Sequence, residues 1–346
     1  MTTKHPNDPH VVLGDPAPPL RLHRGNGDAV DLKDQRYAGD IQVLWFAAAF
    51  PPGRSGNDAP FTAIGAHIFR ILTREPGPGD LADDDLFRDP DGAAAAALGL
   101  ETAGMAVIAP GGRLAWSSGD ADPGRALAMC REIHAASTAD RSPAHAPVLV
   151  IPDVLEPALC TEVIDYWAAG GEKMSNTVAS NASASQPNDR FKVRDDVVLL
   201  DERLFTAVKD RLMARVFPEM FKAMQFKTAN MEALRIGCYD AAAGGTFRRH
   251  RDNATRFSAN RKFAMSLNLS SDYAGGELRF PEYGRMLYRP AAGAAVIFSC
   301  SLLHEALPVT AGRRFAVFSF FTDAEGEARN RQLQADTGLK GFGMTS

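Results

Sequence analysis

The chain has 346 residues, 45% of them hydrophobic and 23% charged, the composition of an ordinary soluble globular protein with room for two cores. Its 38 basic and 42 acidic residues leave a formal net charge of −4, which excludes the basic surplus that draws a protein to nucleic acid or an anionic membrane. The opening MTTKHPNDPH lacks the apolar centre of a signal peptide, no membrane-length apolar run follows, and Cys130, Cys160, Cys238 and Cys300 stand too far apart for a disulfide framework or zinc knot, so a cytoplasmic location is expected.

In chain order, IQVLWFAA (41–48) is a continuous apolar run, as a central strand covered on both faces requires. FTAIGAHIFRILTRE (61–75) sets Ile64, Ile68, Ile71 and Leu72 on one stripe and is expected to be a helix. MAVIAPGGRLAW (105–116) reads as a hairpin turning at Pro110, Gly111 and Gly112, and PGRALAMCREIHAA (123–136) as a closing helix. Strands mixed with covering helices imply an α/β layer. The composition then shifts in AASTADRSPAHAP (135–147), so a first domain is expected over 1–140, a linker over 141–147 and a second domain over 148–346.

The second domain starts with helices. VLEPALCTEVIDYWAAGG (154–171) places Leu159, Val163 and Trp167 on one stripe, with Gly170 and Gly171 available to end it. DERLFTAVKDRLMARVF (201–217) has Asp201 as N-cap, and Pro218 should end or kink it. The Ser-, Asn- and Ala-rich stretch 171–192 has no apolar period and is expected to be a long loop, placed to serve as a lid. From residue 231 follow seven short β runs with turn signals, from EALRIGCYD to RRFAVFSFF, the pattern of a barrel or jelly roll.

Within those runs stand His250-Arg251-Asp252 and, 54 residues on, His304. In an extended segment residues i and i+2 point the same way, so His250 and Asp252 can share one ion, with His304 arriving from a neighbouring strand. Two imidazoles and a carboxylate on one face of an octahedral ion leave three positions open, a set suited to iron(II), a bidentate cosubstrate and O₂. By itself His-x-Asp is a common sequence. Arg314, ten residues beyond His304, adds a cation able to grip a carboxylate.

With CYDAAAGGTFRRHRDN, SLNLSSDYAGGELRFPEYG and SLLHEALPVTAGRRFAVFSFF, residues 231–322 resemble the catalytic core of the iron(II)/2-oxoglutarate oxygenases, in their prolyl 4-hydroxylase-like branch. The resemblance implies a double-stranded β-helix (jelly roll) with flanking helices. It implies Fe(II), 2-oxoglutarate and O₂ as cofactor and cosubstrates, with ascorbate as reductant. His250, Asp252 and His304 match the iron ligands, Arg314 the residue that binds the distal carboxylate of 2-oxoglutarate, and Tyr239 a tyrosine that helps hold it. Tyr239 equally suits a packing role. Where some branches carry a serine two residues after the basic one, this chain has Ala316, so that hydroxyl is absent or comes from elsewhere. The related halogenases lack the carboxylate ligand, so Asp252 argues for hydroxylation. The implied activity is oxidative decarboxylation of 2-oxoglutarate coupled to hydroxylation of an amino acid, a peptide or protein side chain, or a small metabolite. The alternative is a metal-binding or recognition module of cupin-like fold without catalysis.

The first half is similar to a peroxiredoxin or redoxin of the thioredoxin fold over roughly 11–136, carried by LGDPAPPLRL, GNGDAVDL, IQVLWFAA, FRDPDGAAAAALGL and AVIAPGGRLAW. The place of its reactive cysteine reads AFPPGRSGNDAP, without a thiol, and Cys130 falls on the closing helix as a core residue. The whole is therefore expected to be an α+β protein in which a degenerate α/β thioredoxin-like domain serves binding, support or assembly of a homodimer. The expected partners are a small-molecule or peptide substrate, with no nucleic acid and no membrane.

Overall fold

The computed structural model describes residues 11–24, 28–50, 58–75, 86–138, 145–170, 173–175, 177–178, 186–188 and 191–337. It has two compact units, Met1–Ala146 with Phe280–Met286, and Pro147–Arg279 with Leu287–Ser346.

The first unit is built on a mixed seven-stranded sheet. Its inner strands are β1 (Gln42–Ala47), β2 (His67–Leu72), β3 (Gly104–Ile108) and β4 (Leu114–Ser118). They run in the order β2-β1-β3-β4, and Leu86–Arg88, Arg21–Arg24 and Ala29–Asp31 extend the sheet beyond β2. β1 is parallel to β2 and antiparallel to β3, which forms a hairpin with β4. The period of two sorts β1 between two cores. Leu44 and Phe46 join Phe69, Ile71 and Ile108 on one face, and Val43 joins Phe61, Val107 and Cys130 on the other, under helix α1 (Pro123–Thr138).

The helix expected over 61–75 does not form. A single helical turn, Ala59–Thr62, stops before Gly65 at φ +73°, and β2 follows. Six residues of β2 pair in parallel with β1, a ladder that a helix would forgo. The apparent stripe then divides, with Ile64 and Ile68 packed in the α1-side core and Ile71 in the opposite one. β-Branched residues tolerate either conformation, and sheet pairing decides.

In the second unit α2 (Pro157–Ala169) buries Leu159, Val163 and Trp167, and Gly170 at φ +120° ends it. Asp201 caps α3 (Glu202–Arg211), its Oδ1 accepting the Leu204 N–H at 2.8 Å. Ahead of Pro218 the regular α-helix gives way at Arg211. One wide π turn, Leu212–Val216, leads directly into α4 (Phe217–Met224), with the Phe217 N–H bonded to the Leu212 carbonyl. An inserted residue of this kind shifts the carbonyls that the proline ring would otherwise strike. Most of 171–192, and with it the expected lid, lies outside the described residues. The described parts pair as Met174–Ser175 against Asp195–Asp196 and Thr177–Val178 against Gln186–Pro187.

Each of the seven runs after residue 231 holds a strand. With β5 (Lys192–Val193) and β6 (Asp195–Val198), the strands relevant to the site are β7 (Arg235–Asp240), β8 (Thr246–His250), β9 (Phe263–Asn268), β10 (Ala295–Ser299), β11 (His304–Ala306) and β12 (Arg313–Thr322). β10, β9, β12, β7 and β6 are consecutive in an eight-stranded sheet, and β5, β8 and β11 belong to a five-stranded one. Both sheets are antiparallel.

Alternation along the larger sheet decides what faces what. Ile236, Met265, Leu267, Ile297, Phe315 and Val317 join the core that also holds Leu204, Val208 and Leu212 of α3 and the π turn. The residues between them, including Tyr239, Ser266, Asn268 and Arg314, are buried on the opposite face. A hydrophobic stripe on one side therefore leaves a ring of buried polar groups on the other. The architecture is mixed α+β with several sheets, and among the described residues no helix is long and apolar enough to cross a membrane.

Candidate metal and cosubstrate centre

His250 ends β8 and His304 opens β11, and the two are direct partners in the ladder, with ring centroids 4.2 Å apart. Asp252 lies just past the end of β8, in a turn fixed by its own N–H donating to the Cys300 carbonyl at 3.0 Å. Its Oδ1 is 3.4 Å from His250 Nε2 and its Oδ2 3.3 Å from His304 Nε2. One ligand atom from each of the three falls within 4.8 Å of the others, close enough to hold a metal ion. The convergence comes from this turn and from an irregularity in the ladder between Phe247 and His250 rather than from regular alternation. The bulge also stacks the Phe247 ring on His250, 3.7 Å between centroids.

The rings are oriented by their own backbone. His250 Nδ1 lies 2.7 Å from the Arg248 carbonyl and His304 Nδ1 3.0 Å from the Leu302 carbonyl. A carbonyl only accepts, so each Nδ1 carries the hydrogen and each Nε2 presents a lone pair, as metal ligation needs. Burial, then the neighbouring His250 ring, push the His304 pKa down to about 4. Burial alone would raise that of Asp252, but the two imidazoles and Arg261 hold it well below the usual carboxylate range. Behind it, Arg261 donates to both Glu232 oxygens at 2.6 and 2.7 Å and to the Asp252 carbonyl at 3.3 Å.

On the adjacent face of β12, Arg314 is only 1% exposed. Its Nε donates to Asn268 Oδ1 at 3.1 Å and its Nη2 to Ser266 Oγ at 2.9 Å, while Nη1 is buried without a hydrogen-bond partner. No carboxylate among the described residues pairs with it. A buried guanidinium without an anion is costly, so the position fits one carboxylate of an incoming dicarboxylate such as 2-oxoglutarate. Ser266 and Asn268 escape sequence reasoning. Their signal is the polar alternation inside the apolar run KFAMSLNLS. Ser266 also puts a hydroxyl beside the guanidinium, which Ala316 cannot do.

Tyr239, the ladder partner of Arg314, is 2% exposed, with its ring 5.4 Å from the Arg314 guanidinium carbon. Its hydroxyl oxygen accepts from Arg194 Nη1 at 3.0 Å. The buried Lys192–Arg194–Asp196 cluster behind it carries no motif that the sequence would betray. Cys130 is buried, and burial pushes its thiol up to about 12.

Residues 234–322 match the family model described as the 2OG-Fe(II) oxygenase superfamily. A PKHD-type hydroxylase of Xanthomonas axonopodis pv. citri is 28% identical over 209 residues, covering 54% of this chain and 83% of the relative. One from Synechococcus sp. is 26% identical over 136 residues, and this chain spans only 60% of that relative's length. Among solved structures, a prolyl hydroxylase of Trichoplax adhaerens in complex with a hypoxia inducible factor peptide fragment aligns at a TM-score of 0.42 and 18% identity, covering 53% of this chain and 86% of that one. A Pseudomonas putida prolyl-4-hydroxylase aligns at 0.39 and 18%, covering 51% and 92%. Members of the superfamily work with Fe(II), 2-oxoglutarate and O₂. Residues 234–322 thus match the 2OG-Fe(II) oxygenase superfamily, and within them His250, Asp252 and His304 come together in a cluster that could hold a metal ion.

Proposed function

We propose that the protein hydroxylates an amino acid, a peptide or protein side chain, or a small metabolite at the expense of 2-oxoglutarate. In this reading His250, Asp252 and His304 hold Fe(II), Arg314 binds the distal carboxylate of 2-oxoglutarate, and Tyr239 is a second contact to it. The bound metal and cosubstrate supply the oxidising chemistry. The chain's residues supply imidazole and ionised carboxylate ligands, a fixed cation and a buried setting. The observation that carries the reading is Arg314 Nη1, a buried donor with no acceptor on the face that β12 shares with the polar residues of β7 and β9. A recognition module of cupin-like fold would have no use for it. Given Fe(II), ascorbate and 2-oxoglutarate, the purified protein should form succinate, faster with its substrate, and His250→Ala and Asp252→Ala should abolish this. Full turnover in both variants would sink the assignment.

We further propose a double-stranded β-helix over 148–346 and a thioredoxin-like domain over 1–140. The β2-β1-β3-β4 order, with one parallel and two antiparallel pairings and a closing helix, supports the second of these. With Cys130 buried, its role is binding, support or dimerisation rather than thiol chemistry, in a cytoplasmic protein.

A further inference from the structure

Arg194, in the link between β5 and β6, and Asp196 of β6 are buried beside Tyr239. Arg194 donates from Nε to Asp196 Oδ1 at 2.5 Å and from Nη2 to Oδ2 at 2.9 Å, a bidentate pair that fixes the plane of the guanidinium. Lys192 Nζ donates to the same Oδ2 at 2.7 Å. The guanidinium lies 3.9 Å from the Phe318 ring centroid, and its third edge reaches Tyr239 Oη. The sheet makes room for it. A Cβ on Gly237 of β7 would come within 2.7 Å of Asp196 Oδ1 and 2.8 Å of both Arg194 Cδ and Phe318 Cε2.

A guanidinium only donates, so Tyr239 Oη is the acceptor in this contact, and its own O–H remains to be donated. No acceptor for that hydrogen exists among the described residues, although the ring is 2% exposed. Tyr239 therefore stands between two guanidiniums, 5.3 Å from that of Arg194 and 5.4 Å from that of Arg314. One pins its oxygen, and the other carries the buried Nη1 that lacks a partner.

We infer that Asp196 and Arg194 are positioning residues that hold Tyr239 as an obligate hydrogen-bond donor to a 2-oxoglutarate oxygen, an inference that rests on the function proposed above. Removing the third edge of the guanidinium frees the phenol to turn its hydroxyl away or to offer a lone pair where a donor is needed. Arg194→Lys keeps the charge but cannot bridge a carboxylate and a phenol in one plane.

The test is calorimetric titration of Mn(II)-loaded protein with 2-oxoglutarate, which needs no turnover. Tyr239→Phe and Arg194→Lys should each weaken binding about tenfold, the loss of one hydrogen bond to a charged group. Because the two residues act through one hydrogen, the double variant should also lose about tenfold rather than a hundredfold. Mn(II) affinity should be the same in all four proteins. A merely structural Arg194 would add its loss to that of Tyr239→Phe, and additive losses overturn the inference. So does unchanged affinity in Tyr239→Phe, a variant that deletes one oxygen and is read alone should Arg194→Lys not fold. A wild-type protein that takes Mn(II) but no 2-oxoglutarate would instead overturn the proposed function.

Discussion

Arg314 is surrounded by neutral partners, Asn268, Ser266 and the Tyr239 ring, so its charge is solvated by dipoles and awaits an anion. Removing one member of a buried ion pair costs about 3–5 kcal/mol, which corresponds to a loss in affinity of roughly 100–4,000-fold. Arg314→Ala should raise the 2-oxoglutarate requirement by that factor and leave metal binding nearly intact, and Arg314→Lys should recover part of it. Unchanged affinity would point to Arg313, whose side chain is exposed instead. His304 carries a prediction about pH. Its folded pKa of about 4 lies below the ordinary 6.5, so the unfolded chain binds more protons between those values. The stability it contributes is complete above pH 6.5 and falls away as the pH drops toward 4. Asp252, also depressed, pushes the same way at lower pH. Metal-free protein should lose about 2 kcal/mol between pH 7 and pH 5 by urea melts, and His304→Asn should flatten that slope. The meeting of His250, Asp252 and His304 is legible in the sequence, as is the place of Arg314 ten residues beyond His304. Ser266, Asn268 and Arg194 are not, because a polar residue in or between strands gives no hint of its partner in the fold.

At the scale of elements, α3 shows how local chemistry sets a boundary. Asp201 satisfies the Leu204 N–H, which would otherwise be an orphan of the first turn. Asp201→Ala should cost about 1 kcal/mol, read as a lower urea midpoint at constant slope, with no change in 2-oxoglutarate affinity. A larger loss would mean that the aspartate also serves the packed face. Caps, the hairpin turn at Gly112 and the continuous run of β1 are local signals, and they are readable before folding. The stretch 61–75 is not. Its apolar residues satisfy both a helical stripe and a two-faced strand, and the parallel ladder with β1, a nonlocal partner, breaks the tie. Pro218 shows how a local signal is accommodated. The local rule holds, but a single π turn upstream absorbs the clash and lets Val216 and Met220 stay in the same core as Leu212.

For the molecule as a whole, two units of different architecture share one chain and one thiol chemistry, that of buried cysteines. Burial raises the pKa of all four, Cys130 and Cys238 to about 12. A disulfide-exchange reagent at pH 8 should find no reactive thiol in the native protein and four after denaturation. By the same argument the protein should not consume peroxide, and peroxide consumption that depends on Cys130 would restore thiol chemistry to the first unit. The composition of that unit shows the layers of a sheet protein, whereas what it binds is a property of surfaces that no motif records.

The two Nδ1–carbonyl contacts of His250 and His304 have a calorimetric consequence. Each imidazole already holds its hydrogen on the nitrogen that faces away from Asp252, and Asp252 is already ionised. A divalent ion entering at neutral pH therefore displaces no proton from His304 or Asp252. Compared in phosphate and in Tris, buffers whose heats of protonation differ widely, the heat of loading should show that each bound ion releases fewer protons than at a thiolate site, which must shed one for every cysteine it uses.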